Sequence, residues 1–210
     1  MKKLIITLLI MLFFVTKTIA TNNNYKSHYV SIAHLHQIFE KVKRNSDVSE
    51  RALSQTFNFY EKNYNKKHLS PYYLAIADYT KKALKKRLYI INLHNGKVYQ
   101  YLVAHGKNSG KKGGRVWYSS NKRGSFMTPY GFFKIGDKEG ITVAKKYDYL
   151  AVEGLEGKNK NVKAREILLH TAGYVAKAGK SLGCFAIRPQ DKRPIFSKLK
   201  RALLYSYTGR

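Results

Sequence analysis

Apolar positions along this chain change period twice. Leu4 to Val15 is a continuous apolar run broken only by Thr7. After a polar stretch at Thr21-Asn22-Asn23-Asn24, Ile32, Leu35, Phe39 and Val42 recur at helical spacing. Leu53, Phe57, Tyr60 and Tyr64 do so again, and Asp47 with Glu50 three residues on predicts a capping box at the start of that second helix. From Tyr72 the pattern turns to short β-rich runs: 72–77, 88–93, 98–104, 132–135, 141–143, 166–170, 184–187 and 202–207. Asn95-Gly96 between the second and third predicts a hairpin, since both residues tolerate positive φ. Ile195 and Leu199 predict a short helix between Asp191 and Arg201. The fold class is mainly β (α+β) behind a short helical extension. Residues 105–131, rich in glycine and carrying Trp117, are predicted to form a long loop, and such loops inside compact domains tend to be functional.

The first apolar run changes the picture from fold to destination. Lys2 and Lys3 precede it, and Thr18-Ile19-Ala20 follows it with small residues at the −3 and −1 positions. This is the layout of a cleaved export signal over residues 1–20, and the run is short of the roughly 20 apolar residues of a membrane span. The expected organisation is a signal at 1–20, a helical extension at 21–70 and a catalytic domain at 71–210. The mature form is expected to have no transmembrane span and to reside in the periplasm or cell envelope.

The net charge is +28, of which the first twenty residues contribute three. Such a balance attracts polyanions. An exported protein does not meet its own genome, so no nucleic acid partner is expected. Anionic envelope polymers or lipid are the available partners. The lysines are scattered and read chiefly as a solvated surface.

Cys184 is the single cysteine, within Ser181-Leu182-Gly183-Cys184, fourteen residues after His170. An unpaired thiol in an exported chain has no disulfide to make. A nearby imidazole would lower its pKa and expose a thiolate nucleophile. Gly183 permits close backbone approach, and the amides of Gly183 and Cys184 could face a developing oxyanion, each such donor contributing roughly 3 kcal/mol. Acyl transfer through a thioester follows as the reaction class. His34-x-His36 is the only close histidine pair; no metal and no cofactor are expected.

Residues 165–188, from Arg165-Glu166-Ile167-Leu168-Leu169-His170 through Ser181-Leu182-Gly183-Cys184-Phe185, resemble the signature of YkuD-like L,D-transpeptidases. The closer likeness is to the murein L,D-transpeptidase catalytic-domain branch, carried also by Lys86 to Leu93, Val103 to Gly110, Thr128-Pro129-Tyr130-Gly131 and Gly154 to Gly157. The resemblance implies a β-sandwich catalytic domain in which Cys184 is the acyl-accepting nucleophile and His170 its base, oriented by a backbone carbonyl. It implies that Ser181, Leu182 and Gly183 shape the nucleophile turn, and that His105, Gly106 and Arg188 contact substrate, with a structural role for His105 left open. The implied substrates are peptidoglycan tetrapeptide stems, with release of D-alanine. Hydrolysis by an L,D-carboxypeptidase, or a non-catalytic basic envelope-binding protein, are the alternatives. Two positions depart from the family pattern: Thr171 stands where glycine usually follows the histidine, and Ala186 stands where arginine usually follows the cysteine by two, the arginine being Arg188 here.

Overall fold

In the computed structural model, residues 31–209 are described, so the proposed export signal lies outside the described residues. Two helices lead. Helix α1 (Ile32–Asn45) is capped by Ser31, whose side chain accepts from the His34 amide at 3.2 Å. Helix α2 (Glu50–Asn63) is capped by Ser49, not Asp47. Asp47 is drawn away because its carboxylate accepts from the Tyr89 hydroxyl at 2.8 Å and pairs with Lys81. The expected capping box therefore does not form, and the same acid ties the interhelical turn to the sheet.

Eight strands follow: β1 (Tyr73–Asp78), β2 (Leu88–Asn92), β3 (Val98–Tyr101), β4 (Gly131–Ile141), β5 (Asp148–Gly154), β6 (Leu168–Thr171), β7 (Phe185–Ile187) and β8 (Leu203–Tyr207), with helix α3 (Lys192–Leu199) between the last two. They form one sheet in the order β3-β2-β1-β8-β4-β5-β6-β7. Pairing is antiparallel except for β1 with β8 and β6 with β7. The two edges nearly meet. The chain leaving β3 pairs with the segment entering β7: Ala104 donates to the Ala186 carbonyl at 2.9 Å, Ser181 to His105 at 2.9 Å and Lys107 to Ser181 at 2.8 Å. The sheet is thus nearly a closed barrel, which leaves no long unpaired edge there. Its interior is filled by alternate residues of the strands, among them Ala75, Ile90, Phe133, Leu150, Leu169, Phe185 and Leu204, against Ile195, Phe196 and Leu199 of α3, with Tyr99 and Tyr101 of β3 half-buried against it.

The sequence pattern splits what the chain keeps whole. The runs at 132–135 and 141–143 belong to the region of one eleven-residue strand, β4, and Val143 lies beyond its end. Gly136 and Asp137 lie where the register with β5 shifts, between Ile135 and Glu139, and Gly140 is back in register opposite Tyr149. At the 92–97 turn only Gly96, at φ +71°, enters the left-handed region; Asn95 does not. Helix α2 packs on β1 and β8. There Phe59 stacks on Phe132 (4.0 Å between centroids), which stacks on Tyr205 (4.2 Å).

Candidate active site

The register of β6 and β7 decides which way the chemical groups face. Leu169 pairs with Phe185 and both enter the barrel interior. His170, which pairs with Ala186, points the other way, as does Cys184, two residues before Ala186. The histidine and the thiol therefore share the outer face of two adjacent parallel strands. A small apolar cluster, Leu102, Ala104, Ala172, Val175 and Ala186, covers the rest of that face.

His170 is buried, and its Nδ1 lies 2.9 Å from the Thr171 carbonyl. A carbonyl only accepts, so Nδ1 carries the proton and Nε2 is the basic nitrogen. The Tyr147 ring stacks on the imidazole, 5.0 Å between centroids and 11° apart, fixing its plane. Burial lowers the His170 pKa, so the ring is neutral at pH 7. Thr171 has a use of its own: its hydroxyl accepts from the Asp148 amide at 3.2 Å, anchoring β5 beside the histidine.

Cys184 is half-buried and free. Its Sγ–H donates to the Glu166 carbonyl at 3.5 Å. Burial pushes the thiol pKa up; the Leu168 backbone and the Arg165 guanidinium oppose the shift without reversing it. The expected imidazole-depressed thiolate is thus corrected: the resting pair is a neutral thiol and a neutral imidazole, because neither group is solvated well enough to carry charge.

The nucleophile turn is held from inside. Ser181 Oγ donates to the Cys184 carbonyl at 2.8 Å and accepts from the Gly183 amide at 3.1 Å. The Gly183 amide is thereby committed to Ser181, so the expectation that it faces an oxyanion is corrected. Gly183 has φ +127°, and a Cβ there would lie 2.9 Å from the Met127 carbonyl oxygen. Leu182 projects outward, 61% exposed. On the same face, a cavity of about 510 Å³ lies between Glu166-Ile167-Leu168 and the tip of the β4–β5 hairpin at Ile141 to Ala144. Another hollow, about 420 Å³ between Tyr64 and Arg201, is lined by neither Cys184 nor His170.

The sequence profile of the L,D-transpeptidase catalytic domain matches residues 44–207, most of the chain. The chain belongs to that family. No curated protein and no solved structure matches it significantly. The L,D-transpeptidase match begins inside α1 and takes in all of α2.

Two residues expected to touch substrate in this L,D-transpeptidase domain lie elsewhere. His105 is fully buried, so the substrate-contact role is corrected to a structural one. Its Nδ1 accepts from Arg87 Nη2 at 2.9 Å, and burial beside that cation lowers its pKa to about 4. Gly106 pairs by backbone with Ser181, and its amide donates to Thr128 Oγ1 at 2.9 Å. The His105-Gly106 segment therefore braces the nucleophile turn from behind. Arg188 is engaged by Asp191 through two hydrogen bonds, of 2.6 and 2.9 Å. A substrate carboxylate at Arg188 would have to share it with that acid.

Two arginines escaped the sequence reading. Arg87 is fully buried and its hydrogen bonds go to neutral groups: it donates to the Val103 and Lys81 carbonyls and to His105, and lies 4.7 Å from the centroid of the Tyr79 ring, while the Asp78 carboxylate attracts it through space. Arg165 donates to the Ser120 and Met127 carbonyls, both at 2.6 Å, and brings its charge toward Cys184. Both sit inside basic stretches whose other members are solvated, so composition alone does not mark them. Among the described residues no cluster of three or more metal-ligating side chains forms; His34 meets the Leu93 carbonyl while His36 stacks on Phe39.

Proposed function

We propose that this protein is an exported cysteine acyltransferase that cuts the L,D peptide bond of peptidoglycan tetrapeptide stems and passes the stem to an amine. Membership of the L,D-transpeptidase catalytic domain family supports the reaction class and peptidoglycan as substrate. The observation that carries the reading is the shared outer face of His170 and Cys184 on paired strands, with His170 Nδ1 held by a carbonyl so that Nε2 is left basic.

The chemistry follows from the neutral resting pair. Sγ of Cys184 attacks the carbonyl carbon of the third stem residue while His170 Nε2 takes the thiol proton. The tetrahedral intermediate collapses, the C–N bond breaks, and the imidazolium returns that proton to the departing D-alanine amine. A thioester remains on Cys184. An acceptor amine then attacks it, giving its proton to His170, and the amide forms as the thiolate leaves and is reprotonated. Water in the acceptor's place yields the hydrolysed stem.

Intact mass spectrometry of the protein with a disaccharide-tetrapeptide tests this. The expected result is an adduct of the stem less D-alanine on the wild type and none on Cys184→Ala. Product analysis then separates cross-linking from hydrolysis. Absence of any adduct on the fully reduced wild type overturns the acyltransferase reading.

A further inference from the structure

The long loop between Gly106 and Gly131 holds three exposed aromatic side chains that neither the core nor the proposed chemistry uses: Trp117 (53% exposed), Tyr118 (62%) and Phe126 (39%). Exposed rings clustered in one segment are a marker of a binding surface. The loop is not loose. The Ser109 carbonyl accepts from both the Trp117 and Tyr118 amides, at 2.8 and 3.1 Å, and Ser109 Oγ accepts from the Thr128 amide at 2.7 Å. Asn108 donates to the Phe126 carbonyl, at 3.2 Å, from the adjacent position. The backbone at all three positions is therefore tied to one two-residue turn, Asn108-Ser109, and Phe126 is held at φ +52°.

Each flank of this turn stacks a cation on a ring: the Arg115 guanidinium lies 3.7 Å from the Trp117 ring centroid, and Lys107 Nζ 4.1 Å from that of Phe126. From Tyr79 to Gly136 the sequence has thirteen lysines and arginines and no aspartate or glutamate. The surface also adjoins the nucleophile turn. Lys107 donates to the Ser181 carbonyl at 2.8 Å, Lys180 Nζ donates to the Lys107 carbonyl at 3.1 Å, and Met127 carbonyl backs Gly183.

We propose that this loop is a binding platform for a peptidoglycan strand, on which sugar rings stack while lysines meet the carboxylates of neighbouring stems. The proposal rests on the reading of the wall as substrate and adds a second contact outside the acyl-transfer site. Rings and cations are the complement of such a strand: sugars offer flat C–H faces to an aromatic ring, and stem peptides offer negative charge. A membrane surface fits less well. An interfacial aromatic anchor must enter the acyl region, and a cation stacked on the ring opposes that desolvation. A sugar stacks without removing the cation from water.

The test is co-sedimentation of the full chain with purified peptidoglycan sacculi, and binding to peptide-free glycan strands. A Trp117→Ala/Tyr118→Ala/Phe126→Ala variant, checked for an unchanged melting temperature, is expected to lose about ten-fold in affinity for both, as for loss of a small aromatic hot spot. Its acyl-enzyme formation on a free tetrapeptide, which has no sugar, is expected to stay at the wild-type rate. Lys111→Gln/Lys112→Gln is expected to weaken sacculus binding and its salt dependence but to leave peptide-free glycan binding in place. Unchanged binding of the aromatic variant to glycan strands overturns the platform. An equal loss on anionic phospholipid vesicles, or on polyphosphate, also overturns it, making the surface a membrane or general polyanion contact. Failure of the wild type to acylate a free tetrapeptide while still binding glycan sinks the acyltransferase reading and leaves the platform standing.

Discussion

At the scale of single residues, the two reactive groups are tuned away from charge. Burial raises the Cys184 pKa and lowers that of His170, so at neutral pH the proton rests on sulfur. The proposed reaction then depends on His170 Nε2 accepting the proton as the bond forms, and not on a standing thiolate. Alkylation of Cys184 by iodoacetamide is expected to keep rising with pH past the ordinary thiol value of 9.0, with no plateau near neutrality. Acylation by a tetrapeptide is expected to retain its rate as pH falls through 6.5, because a depressed imidazole stays basic there, and to decline only below it. A thiolate plateau near pH 6 would contradict both. Arg165→Gln removes the one side-chain cation that favours the thiolate and is expected to move the alkylation curve to higher pH. Gly183→Ala is the steric counterpart. At φ +127°, with a new Cβ 2.9 Å from a carbonyl oxygen and 3.1 Å from Ile167 Cδ1, it is expected to cost about 1–3 kcal/mol of stability and most of the acyl-enzyme signal, read by melting and mass spectrometry.

At the scale of elements, α2 belongs to the sheet. The stack Phe59–Phe132–Tyr205, together with Tyr205 donating to Gln55 Oε1 at 2.7 Å, welds it onto the outer surface of β4 and β8, with β5 between β4 and the β6 strand that carries His170. Phe59→Ala is expected to lower stability by about 1–3 kcal/mol in urea titration while leaving acylation of a tetrapeptide by the folded fraction unchanged. A large loss of turnover with full stability would instead make the helix part of the substrate cleft. Local sequence foretold much at this scale. Both leading helices, α3 and seven of the eight strands lie where the apolar periodicity puts them. The exception is β5, Asp148–Gly154, whose Tyr149, Leu150 and Val152 are interleaved with Ala and acids and give no clean alternation. The candidate Cys184–His170 pair rests on local features, a lone thiol in a Ser-x-Gly turn and a histidine at a strand end, and the register of β6 with β7 puts the two on one face. Arg87, Arg165 and the burial of His105 were not legible, because they depend on the closing of the barrel, where the chain after β3 meets the chain before β7. No pattern within a strand records which edges will meet.

At the scale of the whole molecule, the excess positive charge reaches the interior. Arg87 is buried with no carboxylate among its hydrogen-bond partners, Asp78 acting on it only through space, and it draws on neutral acceptors, of which the His105 Nδ1 lone pair is one. That bond exists only while His105 is unprotonated, and burial, Arg87 and Lys180 together lower its pKa to about 4. In the unfolded chain the imidazole titrates near 6.5. Between those values the unfolded state binds the extra proton and the native state does not, so stability rises with pH across that window and is lost as pH falls through it. His170, lowered in the same direction, adds to the slope. The full effect at His105 is on the order of 3 kcal/mol, set by a difference of between two and three pH units at 1.36 kcal/mol each. Urea midpoints taken from pH 7 to pH 4.5 are expected to fall steeply, and His105→Gln, though less stable at pH 7, is expected to show a shallower fall. An equally steep fall in His105→Gln would place the acid sensitivity in His170, the other buried imidazole with a lowered pKa, because Asp47, held below the ordinary 3.8 by its Lys81 and Tyr89 partners, titrates below this range. Because the His105 segment pairs with Ser181, the nucleophile turn is expected to loosen in step: Cys184 alkylation per thiolate should quicken below pH 6 in the wild type before global unfolding is seen.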